Sequence, residues 1–130
     1  MKGQCYCGTV QFTLDGEFGY AFFCHCSRCR RRTGSACAAI GGIETEKVRF
    51  IAGAELTARI GESPKGYRCL CGRCYSPLYD VVRDGQFAHV QLGTLDDSSI
   101  RGPDHHIFVG CKAPWYVIGD DFPRHDGFSE

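Results

Sequence analysis

A mainly β fold is predicted for this chain from three observations. Short runs alternate apolar and polar residues, 17 glycines punctuate them, and a single short stretch reads as helical. Val10-Gln11-Phe12-Thr13-Leu14 alternates and then meets Asp15-Gly16, the pattern of a half-buried strand running into a turn. The helical stretch runs from about Ser27 to Gly34, directly after a group of cysteines. Lys47 to Ile51 and Glu55 to Ile60 read as two further strands. Leu78 to Val82 and Gln86 to Leu92 flank Arg83-Asp84-Gly85, the clearest hairpin signal, because Gly and Asp tolerate positive φ. Residues 119–130 are polar and hold one proline, which predicts a loosely held tail behind a single domain spanning 1–118.

Size and charge narrow the function. A chain of 130 residues has room for one core and little more. Fifteen Lys+Arg balance fifteen Asp+Glu, which removes the electrostatic case for a nucleic-acid or anionic-membrane partner. The longest apolar runs, Tyr20 to Cys24 and Ala36 to Ile40, are five residues and far too short to span a bilayer. Ten cysteines are the unusual feature. Met1-Lys2-Gly3-Gln4-Cys5 has no apolar stretch after its basic residue, so no signal peptide and a cytoplasmic location are expected. In a reducing compartment, paired cysteines hold metal more often than they form disulfides.

The cysteines fall into three clusters. Cys5-Tyr6-Cys7 aims two thiolates at one point if it is extended, because residues i and i+2 share a strand face. Cys71-Gly72-Arg73-Cys74 has the spacing of a zinc knuckle. Together Cys5, Cys7, Cys71 and Cys74 are enough to close a tetrahedral, structural zinc site. Cys24-His25-Cys26-Ser27-Arg28-Cys29 differs in number. Three thiolates can hold one zinc and leave a fourth position for water or substrate, the pattern of a catalytic site. His25 would point away from Cys24 and Cys26 on a shared strand, which predicts a core or hydrogen-bonding histidine rather than a ligand. The run Arg28, Arg30, Arg31 and Arg32 could offset excess thiolate charge or meet substrate carboxylates.

At these residues the chain resembles a known family. Gly3-x-Cys5-x-Cys7-Gly8, Cys24-His25-Cys26-x-x-Cys29-Arg30 and Cys71-x-x-Cys74-x-Ser76 are similar to the glutathione-dependent formaldehyde-activating enzymes, whose family includes centromere protein V. Gly93-x-Leu95-Asp96-Asp97, His106-Ile107-Phe108 and Lys112-Ala113-Pro114-Trp115 are similar to its C-terminal half. The resemblance implies a β-tent of packed antiparallel sheets with short connecting helical turns and two zinc ions. It assigns Cys5, Cys7, Cys71 and Cys74 to the structural ion, and Cys24, Cys26 and Cys29 to the catalytic one. The implied activity is of carbon–sulfur lyase type, condensing the small-molecule thiol glutathione with formaldehyde to S-hydroxymethylglutathione. Arg30 and Arg31 are then the candidates to meet glutathione carboxylates. The alternative, from the kinship with centromere protein V, is a non-catalytic binding module stapled by zinc.

Two departures stand out. Tyr75 follows Cys74 where the family usually has Gly, and an aromatic residue takes up a left-handed turn at a cost. Cys69 creates a second Cys-x-Cys pair with Cys71, leaving Cys69 and Cys71 as another possible ligand pair. With Cys71 and Cys74 preferred, Cys37, Cys69 and Cys111 are expected to be buried, inert thiols. Asp96-Asp97 reads as a turn or cap rather than an acid–base pair. His105 and His106, adjacent on a strand, cannot easily share an ion, though His106 could line the site. His89 is expected on a strand face, and Trp115 and Tyr116 in the core.

Overall fold

The computed structural model describes residues 1–96 and 100–129, with Glu62 described by its backbone alone. Three short strands, β1 (Lys2–Gln4), β2 (Gln11–Leu14) and β5 (Val48–Ala52), form a small antiparallel sheet in the order β1-β2-β5. The larger sheet contains β3 (Tyr20–Cys24), β4 (Ala38–Glu44), β6 (Thr57–Ser63), β7 (Gly66–Cys71), β8 (Pro77–Val82), β9 (Phe87–Gln91) and β10 (His106–Ile107). Its order is β10-β3-β4-β9-β8-β7-β6, antiparallel throughout except for the parallel β10–β3 pair. One helix, α1 (Ser27–Thr33), links β3 to β4. The fold is mainly β, as the alternation predicts.

The two sheets close on a shared apolar core. Phe12 and Leu14 from the small sheet, with Val10 just before β2, meet Ala21, Ile43, Val81, Ala88 and Val90 from the large one, each no more than 3% exposed. The hairpin between β8 and β9 turns through positive φ at Arg83, Asp84 and Gly85. Strands β3, β4 and β7 lack the alternation that marks the others. In β4 the reason is burial on both faces, which removes the polar half of the pattern. Its two central glycines let aromatic rings lie flat on the backbone. A Cβ on Gly41 would meet the Phe18 ring at 2.7 Å, and one on Gly42 would meet the Tyr20 ring at 2.2 Å.

Register sets up the second face of the large sheet. Tyr20 pairs with Gly42, Gly42 with His89, His89 with Asp80 and Asp80 with Arg68, a single row across five strands. Directly opposed residues project from the same side. Tyr20, Phe22 and Cys24 therefore share this outer face along β3, while Ala21 enters the inter-sheet core.

Two expectations need correction. Residues 119–129 do not form a loosely held tail. His106 N–H donates to Pro123 O at 2.9 Å, His125 N–H to His106 O at 3.0 Å and Phe108 N–H to Gly127 O at 2.9 Å. The segment satisfies the outer backbone edge of β10, which would otherwise be left unpaired. Trp115 is not a core residue, being 69% exposed, whereas Ala113 and Ile118 are buried beside it. Lys112 Nζ donates to the carbonyls of Ala113 and Tyr116, winding this segment into a turn that projects Trp115 outward. No helix among the described residues is long and apolar enough to cross a membrane.

Two outcomes are expected. Gly41→Ala forces its methyl into the buried Phe18 ring and should cost about 1–3 kcal/mol, read from the urea midpoint. His89 has its pKa pushed down to about 4, first by burial and then by the Arg83 and Arg32 charges. Between about pH 6.5 and 4 the unfolded chain takes up a proton at this imidazole that the folded one does not, so stability falls as pH falls. Unfolding free energies from urea titrations across that window should decline by up to about 3 kcal/mol more for the wild type than for His89→Gln.

Candidate functional site

The first cysteine cluster joins the ends of two sheets. Cys5 follows β1, and its N–H donates to Val10 O at 3.0 Å; Gly8, at φ 78°, closes the turn that carries Cys7 back toward Cys5. Cys71 ends β7 and accepts from the N–H groups of Arg73 and Cys74 at 3.3 and 3.4 Å. The sulfurs of Cys5, Cys7, Cys71 and Cys74 all lie within 4.8 Å of one another. Cys5–Cys7 and Cys7–Cys71 are 3.5 and 3.8 Å apart. A tetrahedron of thiolates around zinc has edges of about 3.8 Å, so the donor set fits that ion. Cys69 is 1% exposed and belongs to the inter-sheet core, outside this group.

Gly72 is not in the left-handed region; its N–H donates to Leu56 O at 2.7 Å, and a Cβ would meet that oxygen at 2.5 Å. Close approach to the turn before β6 is what requires glycine here. The left-handed residue is Tyr75, at φ 62°, with its N–H donating to Cys71 O at 2.9 Å. Its ring is 72% exposed and gains little packing in return.

The second cluster is built by a strand end and a helix start. Cys24 closes β3, Cys26 is the N-cap of α1 with its sulfur accepting from Cys29 N–H at 3.3 Å, and Cys29 sits in the first turn. Their sulfurs also lie within 4.8 Å of one another, again a set that could hold one soft cation. Cys24 and Cys29 are buried and Cys26 is half-exposed. Cys29 has its pKa pushed down, first by the hydrogen bond from the Cys24 thiol, then by Cys26 and the Arg32 charge. Cys24, which keeps the shared proton and is buried, is pushed up.

The arginine in contact with sulfur is Arg32. Its Nη2 donates to Cys29 Sγ at 3.5 Å, and its Nη1 to Asp80, which also pairs with Arg68. Arg30 is half-buried with an unpartnered Nε, and Arg31 is exposed. The run of arginines is visible in the sequence; which of them meets sulfur depends on Asp80, supplied by β8.

Histidines brace the cluster from behind. His25 is fully buried, and its Nε2 lies 2.8 Å from His106 Nδ1. His106 Nε2 lies 3.0 Å from both carboxylate oxygens of Asp120. His25 is therefore a hydrogen-bonding histidine, as its place between Cys24 and Cys26 predicts. Asp120 has no sequence signal, because the fold alone joins it to His106. His106 lies behind the sulfurs rather than among them, and Asp104 holds His105 separately at 2.6 Å.

Other residues fall outside both clusters. Cys37 is half-exposed and Cys111 exposed, so only Cys69 of the three leftover thiols is buried as expected. Asp96 is not in a turn: its N–H donates to Lys2 O at 2.9 Å beside the antiparallel Gly3–Leu95 bridge, while Asp97 lies outside the described residues. Tyr116 is half-buried and packs 6.1 Å from the His25 ring. The left-handed aromatic is testable: Tyr75→Gly should raise stability by about 0.5–1 kcal/mol, because a left-handed L-residue costs roughly 1–2 kcal/mol and glycine returns part of that as chain entropy. Equilibrium denaturation checks it.

A Colletotrichum graminicola protein, provisionally named a glutathione-dependent formaldehyde-activating enzyme, is 27% identical over 114 residues, covering 82% of this chain. The chain spans 59% of that relative's length. A Rhodobacter sphaeroides protein of known crystal structure superposes with a TM-score of 0.60 at 25% identity, covering 78% of this chain and 91% of the other. The sequence profile of the glutathione-dependent formaldehyde-activating enzymes matches residues 1–111, which hold both cysteine clusters, and the chain belongs to that family.

Proposed function

We propose that this protein is a zinc-dependent enzyme of the carbon–sulfur lyase type that condenses glutathione with formaldehyde to S-hydroxymethylglutathione. Two zinc ions are its cofactors, a structural one held by Cys5, Cys7, Cys71 and Cys74 and a catalytic one held by Cys24, Cys26 and Cys29. The observation that carries this reading is the difference in donor number between the two sulfur groups. Four thiolates complete a tetrahedron, whereas three leave one position for an incoming ligand.

When bound, zinc at the three-sulfur group supplies the Lewis acidity that lowers the pKa of a neighbouring thiol. The chain's own residues do the rest. Three thiolates outweigh a divalent charge, and the Arg32 guanidinium on Cys29 Sγ offsets the excess. Arg32 is in turn fixed by Asp80, so its charge stays aimed at the sulfur. Arg31 on the exposed side of α1, with Arg30 beside it, is assigned to the carboxylates of glutathione. In the reaction a carbon–sulfur bond forms between the glutathione sulfur and the aldehyde carbon, and the thiol proton ends on the new hydroxyl oxygen. No protein nucleophile is required.

Metal analysis and paired variants test the division of labour. Cys71→Ser should unfold the chain or lower its melting temperature steeply, because a structural zinc site contributes directly to folding. Cys26→Ser should melt close to the wild type, bind one zinc fewer and lose S-hydroxymethylglutathione formation above the spontaneous rate. Arg31→Ala should weaken glutathione binding without zinc loss, by about fivefold for one exposed charge pair. Equal unfolding of both cysteine variants would make both sites staples and favour a non-catalytic binding module. Full zinc occupancy with glutathione bound and no rate enhancement would sink the formaldehyde assignment.

A further inference from the structure

A chamber opens on the outer face of the large sheet, lined by no cysteine of either cluster and by none of the α1 arginines. It encloses about 600 Å³, the size of a small-molecule pocket. Tyr20, Phe22, Val82, Ile107 and Phe128 form apolar walls. Phe22 is the ring around which the others are arranged. Tyr20 stacks on it at 6.1 Å and 10°, His89 meets it edge-on at 5.5 Å and His105 tilts against it at 5.9 Å.

Among the described residues, both imidazoles keep one ring nitrogen unclaimed. His89 Nε2 lies 2.7 Å from the Tyr20 hydroxyl, and His89 Nδ1 has no hydrogen-bond partner among the described residues. His105 Nδ1 lies 2.6 Å from Asp104, whose carboxylate Arg101 also holds at 3.0 Å. With Nδ1 engaged by Asp104, His105 Nε2 has no hydrogen-bond partner among the described residues. Burial keeps His89 neutral, so it supplies a hydrogen bond rather than a charge.

Among the described residues, the chamber's one permanent cation is Arg83. Its guanidinium lies over the Tyr20 ring at 5.4 Å and the Phe87 ring at 5.6 Å, and it has no carboxylate at ion-pair distance among the described residues. The adjacent Asp84 is paired with Lys65 instead. A cation held by aromatic faces beside an apolar slot is complementary to an anionic group attached to a flat apolar body. A peptide with two carboxylates and an ammonium, such as glutathione, matches neither the walls nor the single charge.

We propose that this chamber binds a flat aromatic molecule carrying one anionic group, its ring against Phe22 and Tyr20 and its anion on Arg83. The site does not depend on the metal reading of the cysteine clusters.

Titration calorimetry of the full chain with naphthoate and with uncharged naphthamide tests it. One naphthoate should bind per chain, about fivefold tighter than naphthamide, with the advantage shrinking as salt is added. Arg83→Gln should bring the two ligands to equal affinity, and this exposed hairpin residue can change without disturbing the core. Val82→Trp should fill the chamber and abolish binding of both at an unchanged melting temperature. The proposal is overturned if naphthoate fails to bind at millimolar concentration, if the wild type does not prefer it to naphthamide, or if folded Val82→Trp binds as before. Should Val82→Trp not fold, the loss of naphthoate preference in Arg83→Gln decides the matter alone, and an unchanged preference overturns the proposal.

Discussion

The close approach of cysteine sulfurs from distant parts of the chain is the constraint on which the architecture rests. Cys7 and Cys71 are separated by 64 positions and their sulfurs by 3.8 Å. Thiolates at that spacing repel unless they share protons or a cation, so the chain must compensate charge wherever it gathers them. Meeting that demand ties the start of the chain, just beyond β1, to the end of β7. The small sheet is thereby held on the large one at its edge, as Phe12 and its neighbours hold it in the middle. The positive φ of Tyr75 belongs to the same knot: the turn that presents Cys74 needs that geometry whatever residue stands there.

Strand β3 is the axis for the rest. On one face Ala21 fills the inter-sheet core; on the other Tyr20, Phe22 and Cys24 follow one another toward α1. The strand's far end delivers Cys24 to the second cluster, and its near end delivers Tyr20 to the aromatic chamber. β10 adds His106, which with Asp120 anchors His25 between two cysteines of the cluster. Residues past 111, beyond the extent of the family profile, thus complete a buried hydrogen-bonded chain behind the site. Asp80 does comparable work from β8, orienting Arg32 onto Cys29 while paired in register with His89.

Much of this was legible in the residues because it is local. The mainly β class, the β8–β9 hairpin and the short helix all rest on patterns within a few positions, and pairwise cysteine spacing names the two clusters. Strands β4 and β7 were silent because consecutive buried residues, through most of β4 and over the last three positions of β7, replace alternation. The exposure of Trp115 and the docking of residues 119–129 follow from distant partners that no local pattern encodes, whereas the knuckle spacing already favoured Cys71 with Cys74 over Cys69. Cys69 and Cys71 are both buried in the core, but the pairing of β7 with β8 shifts register between Cys69 and Leu70, and of the two only Cys71 gathers with Cys5, Cys7 and Cys74. The sequence by itself determined which residue types could gather cations and which segments could extend. Only the tertiary structure decided which arginine meets sulfur, which carboxylate closes the histidine chain and where the aromatic rings enclose a cavity, because each depends on register between strands far apart in the chain.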